Sequence, residues 1–160
     1  LRRLPDRVAS LTEPFGLLPS QASILREKRL ILEKNMIYED NYKKLLHLIP
    51  DLATASFEAR KLKADGFMDL NIDMLYKEED RTVMALSHYY EHPSGDMIAD
   101  PDMEIAVYPE KKMVEALSYQ DCFGYRRVHP EAHKLNPRAK GELDSFLGQW
   151  LSNLKSQGHR

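Results

Sequence analysis

The last quarter of the chain constrains the fold most. Leu143, Phe146, Leu147, Trp150, Leu151 and Leu154 stand at i, i+3, i+4, i+7, i+8 and i+11, a stripe about a hundred degrees wide on an α-helix. Asn136 is placed to cap that helix, Pro137 suits its first position, and Gly158 suits its C-terminal end. Six such side chains carry roughly 1.5–3 kcal/mol each of transfer free energy on burial, so the helix must lie against an apolar surface. The expected surface is a sheet, with Phe146 and Trp150 as core anchors.

The sheet is legible in the middle of the chain. Met68, Leu70, Ile72 and Met74 alternate with Asp69, Asn71 and Asp73, the period-two pattern of a strand with one buried face. Thr82–Glu91 is rich in β-branched and aromatic residues. Met103–Tyr108 and Met113–Tyr119 follow, and the short polar connections imply antiparallel neighbours. Residues 92–101 read as a polar loop. Residues 51–64 suit helix and strand equally; a strand from Phe57 to Lys63, turning at Asp65-Gly66, would be a fifth.

Upstream, Ser20 caps a helix-favouring run in which Ile31, Tyr38, Tyr42, Leu45 and Ile49 share one face. Asn35 interrupts that stripe and marks the expected break into two helices, and Pro50 ends the run. Pro5, Pro14, Gly16 and Pro19 make residues 1–19 an irregular arm. The fold expected is α+β, in one domain over residues 20–160. It is an antiparallel meander of four or five strands with N-terminal helix or helices and a C-terminal amphipathic helix packed on one face.

Charge removes some function classes. The chain carries 23 Lys and Arg against 25 Asp and Glu, so it exerts no global pull on nucleic acid. No apolar run approaches the ~20 residues of a membrane span, and no signal-type apolar core follows Leu1–Pro5. Cys122 is the single cysteine, which fits a reducing, cytoplasmic location. Near-neutrality conceals a division: residues 67–121 hold 4 basic and 13 acidic groups, whereas residues 122–160 hold 7 basic and 3 acidic.

Phosphate-binding glycine loops and nucleophile elbows are absent from the sequence. Asp121 beside Cys122 disfavours a thiolate, so Cys122 is expected to pack at a strand end. His129 and His133 have helical metal-ligand spacing, but Pro130 discourages a helix there. The acidic segment offers more: Glu91, Asp96, Asp100 and Asp102, with His88 nearby, are oxygen donors in a short stretch that could hold Ca²⁺ or Mg²⁺. No other cofactor is expected. The alternative is a structured turn in which Asp96 and Asp100 bond the backbone. Arg126, Arg127 and Lys134, preceded by Phe123 and Tyr125, form a basic run with aromatics that could bind single-stranded nucleic acid, although the acidic sheet segment would repel phosphate.

One resemblance rests on Gly66-Phe67-Met68-Asp69-Leu70, His88-Tyr89-Tyr90-Glu91, Gly95-Asp96, Asp100-Pro101-Asp102-Met103-Glu104, and Trp150-Leu151-Ser152-Asn153-Leu154. Over residues 36–159 the chain resembles a bacterial domain-of-unknown-function family common on mobile elements, and more distantly the YqiB-like proteins. The family carries no residue roles to transfer. It implies a cytoplasmic accessory protein with a host-interaction or anti-defence role. With no catalytic constellation preferred, the expected function is non-enzymatic binding of a protein partner; the alternatives are a divalent-cation or metal-dependent hydrolytic domain and a single-strand binder.

Overall fold

The computed structural model describes residues 18–160. Helix α1 runs Pro19–Leu48, and strands β1 Ala59–Leu62, β2 Leu70–Lys77, β3 Thr82–Glu91, β4 Met97–Tyr108, β5 Met113–Asp121 and β6 Gly124–Arg127 follow. Helix α2 is Pro137–Gln157. The expected α+β class holds. The sheet has six strands rather than four or five, in the order β1-β2-β3-β4-β5-β6, with every neighbouring pair antiparallel. The arm expected over residues 1–19 lies almost wholly outside the described residues; Pro19 opens α1.

Two compact units divide the chain, residues 1–34 and 35–160. In the first, the described residues are helical from Pro19, and Ile24, Leu25, Ile31 and Leu32 are all exposed. The expected break at Asn35 does not occur: α1 passes through it, since Asn costs a helix only a few tenths of a kcal/mol and leaves its hydrogen bonding intact. Within the second unit the stripe residues Tyr42, Leu45 and Ile49 enter the core, joined by Leu48, while Tyr38 is only half-buried.

The segment that suited helix and strand equally resolves into turns after Pro50 and then β1. β1 pairs with β2 from Leu62↔Leu70 to Ala59↔Asp73, around a turn in which Gly66 takes a φ of 81°. Leu70, Ile72, Met84, Leu86, Met103, Ile105 and Val107 form the covered face of the sheet. Met68, read as part of the first strand, lies before β2 and is exposed.

α2 closes that face with Leu143, Leu147, Trp150, Leu151 and Leu154. Its ends are built as the sequence predicts. Asn136 Oδ1 accepts from the Ala139 N–H at 3.1 Å, and Gly158 ends the helix at a φ of 84°. Phe146 departs from expectation. It lies at the margin of the stripe and is 37% exposed rather than a core anchor.

Two further contacts lock α2 in place. Asp144, buried, accepts from the Ala116 N–H at 2.8 Å and so satisfies that donor in the part of β5 ahead of its pairing with β6. Gly148 lets α2 approach the C-terminal part of α1. The buried Asn41 donates to the Asp144 carbonyl at 3.2 Å, and Lys44 donates to the Gly148 carbonyl at 3.2 Å. A Cβ on Gly148 would stand 2.7 Å from Asn41 Oδ1.

Gly148→Ala is therefore expected to cost about 1–3 kcal/mol by overpacking. Gly141→Ala, whose Cβ would meet nothing within 4 Å, is expected to stabilise by roughly 0.5–1 kcal/mol through helix propensity. Urea unfolding of both variants checks the pair; equal effects would contradict the close approach of Gly148 to Asn41.

Candidate functional site

The acidic segment is not a loop. Residues 97–101, read as loop, belong to β4, and only His92 to Asp96 form the β3–β4 turn. The alternation of β-structure then separates the candidate ligands. Asp102 faces away from the core and accepts from Ser87 Oγ at 3.1 Å. Burial, partly offset by that hydrogen bond, pushes the Asp102 carboxyl above its ordinary range. His88 points the other way, into the core. Its Nδ1 bonds the Asp69 carbonyl at 2.9 Å, and its Nε2 receives the Trp150 indole N–H at 3.3 Å. Both ring nitrogens are thus engaged, with Nδ1 as the donor.

Asp96 accepts from Ser94 Oγ at 2.9 Å inside the turn, and Glu91 is exposed at the end of β3, opposite Met97. Asp100 is half-buried in a register shift of β4. Among the described residues, no three His, Cys, Asp or Glu side chains gather in a way that could hold a metal ion. His129 and His133 are exposed in a turn segment, with no helix between them.

The basic run has a different fate. Residues 124–127, read as part of a basic run with aromatics and not as a strand, form the sixth strand, and the β5–β6 hairpin turns through Cys122 and Phe123. Asp121 builds this turn. Its Oδ1 accepts from the N–H groups of Phe123 at 2.8 Å and Gly124 at 3.0 Å, and these backbone bonds hold its carboxyl below the usual range. Cys122 is exposed at the tip rather than packed at a strand end. Phe123 is 94% exposed.

A groove lies between this hairpin and α2, in two compartments. The first, about 450 Å³, is floored by Tyr119, Leu143 and Phe146. The second, about 400 Å³, is lined by Tyr125, Arg127 and Arg138. Tyr125, Arg126 and Glu142 stand in the walls of both. Glu142 receives Arg126 at 2.9 Å and Arg138 at 2.8 Å, and the two guanidiniums hold its carboxyl low. Arg127 donates to the Tyr125 hydroxyl at 2.6 Å and has no carboxylate partner among the described residues. Lys134, the third basic candidate, pairs with Glu131 at 2.6 Å.

The groove floor is tied to the core by aromatic contacts. Tyr119 and Phe146 meet edge-on at 5.0 Å between centroids, and Phe146 and Trp150 at 6.0 Å. Burial and the hydrogen bond to Asp121 push the Tyr119 phenol up to about 12, so it remains a donor. Tyr119 and Glu142 had no distinguishing motif. Glu142 could have been noticed as the i+4 partner of Arg138. Phe146 was visible, but its position at the stripe's margin puts it in the groove.

A half-buried charge cluster fixes the other flank of α2. Lys140 donates to Glu115 at 2.6 Å and lies 3.5 Å from Asp144, and Tyr108 donates to Glu115 at 2.8 Å. Burial would raise the Glu115 carboxyl, but Lys140 outweighs it and the carboxyl is held below its ordinary value of 4.5. Burial likewise opposes the Lys140 charge, and the two carboxylates overcome it, so the ammonium is held above its ordinary range. Asp144 is raised, with burial outweighing the Ala116 N–H.

These features define an α+β protein built on a six-stranded antiparallel meander, with an aromatic and arginine-lined groove between its last hairpin and its C-terminal helix. The chain belongs to the domain of unknown function family DUF6908, which it matches over residues 40–160. That range spans the whole sheet and α2. No curated protein and no solved structure matches it. No helix among the described residues is long and apolar enough to cross a membrane.

The Glu115 interaction stabilises the fold above the carboxylate's ordinary value and is lost as pH falls through its lower folded value. Asp144 acts with the opposite sign, because its folded value is raised. Glu115→Gln is therefore expected to cost about 1.5–3 kcal/mol at pH 7, the range for hydrogen bonds to charged groups, and less as pH falls below 4.5. Urea midpoints across that range check this; a pH-independent difference would contradict the ion pair.

Proposed function

We propose that the protein is a non-enzymatic binding module that engages a protein partner through the β5–β6 hairpin and the groove beside it. One observation carries this reading: Phe123 stands 94% exposed at the hairpin tip, at one end of a groove lined by Tyr125, Phe146 and three arginines. Aromatic residues and arginine dominate the energetic centres of protein interfaces. An exposed phenylalanine, held out by the Asp121 turn, has no packing role within the described chain. The mixed sign of the groove favours protein over nucleic acid, since Asp121 and Glu142 line it together with Arg126. The resemblance to mobile-element proteins supplies the setting, a host-interaction or anti-defence accessory.

A second reading keeps one observation in its favour. Tyr125 and Arg127 are both exposed on β6, the aromatic-plus-arginine arrangement on which single strands stack.

Replacing Phe123 with a photo-crosslinking phenylalanine separates the two. Irradiation in the native host is expected to give a discrete protein adduct that disappears when Tyr125→Ala and Arg127→Glu are added, and that is absent when the crosslinker replaces exposed Glu79 on the β2–β3 turn. Nuclease-sensitive adducts, or the same adducts from both positions, would overturn the proposal.

A further inference from the structure

We infer that the groove's ligand is an extended acidic peptide segment carrying one aromatic anchor. This rests on the protein-binding reading above and names the chemistry of the partner at that site.

Charge decides the sign. Arg126 and Arg138 share a single carboxylate, Glu142, and Arg127 has only the Tyr125 hydroxyl. Three guanidiniums therefore face the second compartment and its boundary against one carboxylate. A ligand carboxylate there gains bidentate hydrogen bonds without displacing an existing pair. The first compartment differs in kind. Its floor of Tyr119, Leu143 and Phe146 is apolar and aromatic, backed through Phe146 by Trp150. An aromatic side chain entering it meets an edge-to-face pair already in place.

Geometry decides the shape. The two compartments adjoin along β6, and Phe123 to Arg127 spans roughly 13 Å at about 3.3 Å per residue. A strand-like peptide of four or five residues covers that length, anchor at one end and carboxylates at the other. β6 is the last strand of the sheet, so its far side has no strand neighbour among the described residues. A polyanionic nucleic acid fits less well, because its phosphates would pass Asp121 and Glu142 on the way to the arginines.

The test uses the full chain and a short fluorescein-labelled peptide with a tryptophan at one end and glutamates at the other. The controls are the same peptide with lysines for glutamates, the same peptide with serine for tryptophan, and an oligothymidine of matching charge. Fluorescence anisotropy is expected to show saturable binding of the acidic tryptophan peptide alone, weakened at least tenfold by Arg127→Glu and by Arg138→Glu. Thermal melts check that the variants fold, and charge-conserving Arg127→Lys should recover part of the loss. Tighter binding of oligothymidine would overturn the inference in favour of nucleic acid. Equal binding of the lysine peptide, or insensitivity to Arg127→Glu in a folded variant, would overturn it outright. An Arg127-dependent dimer in sedimentation would replace the peptide by a second copy. If crosslinking through position 123 captures a protein while the acidic peptide fails to bind, this inference falls and the protein-binding reading stands.

Discussion

The structure depends on the burial of one helical stripe. Leu143, Leu147, Leu151 and Leu154 come from α2 at spacings of three and four, and they have a place only against the covered face of the sheet. An antiparallel meander cannot cover that face itself, because its consecutive hairpins all lie in one layer. α2 therefore supplies the second layer, together with the C-terminal part of α1. The polar contacts at its flanks set its position rather than its affinity for the core. Asp144 meets the free Ala116 N–H, Lys140 meets Glu115, and Gly148 lets Asn41 come close.

That placement also makes the groove. Three residues of α2 outside the buried leucine stripe line it beside Leu143: Phe146 at the stripe's margin, Glu142 one turn earlier, and Arg138 in the first turn. The hairpin opposite is held by Asp121, whose carboxylate satisfies two backbone N–H groups and leaves Phe123 in solvent. A binding surface follows from two local devices, a helix margin and an aspartate turn, each with a structural reason of its own.

Much of this was legible beforehand, and the rest was not for identifiable reasons. Period-two alternation revealed Leu70 and Ile72, and helical spacing revealed α2 with both caps, because burial imposes those periods directly. β6 escaped notice since its four residues are all exposed and carry no alternation of polarity. The turn before it lacks glycine at its two central positions. β4 begins earlier than its hydrophobic pattern because polar residues fall within it: Asp102 on the uncovered face, where acidity and strand structure are compatible, and Asp100 in a register shift. That same placement disperses the carboxylates read as cation ligands and sends His88 to Trp150. The candidate arginines were visible as a run. What sequence could not supply was Glu142 and Phe146 opposite them, which only the docking of α2 brings near.

The hairpin and the outer margin of α2 are proposed to form one recognition surface. Amide chemical-shift mapping of the isotopically labelled full chain, titrated with the acidic tryptophan peptide, tests this most directly. Saturating shifts are expected to be confined to Tyr119, Phe123 to Arg127, and Arg138 to Phe146, with the β3–β4 turn unmoved. Shifts centred on Glu91 to Asp102, or none at saturating peptide, would contradict it.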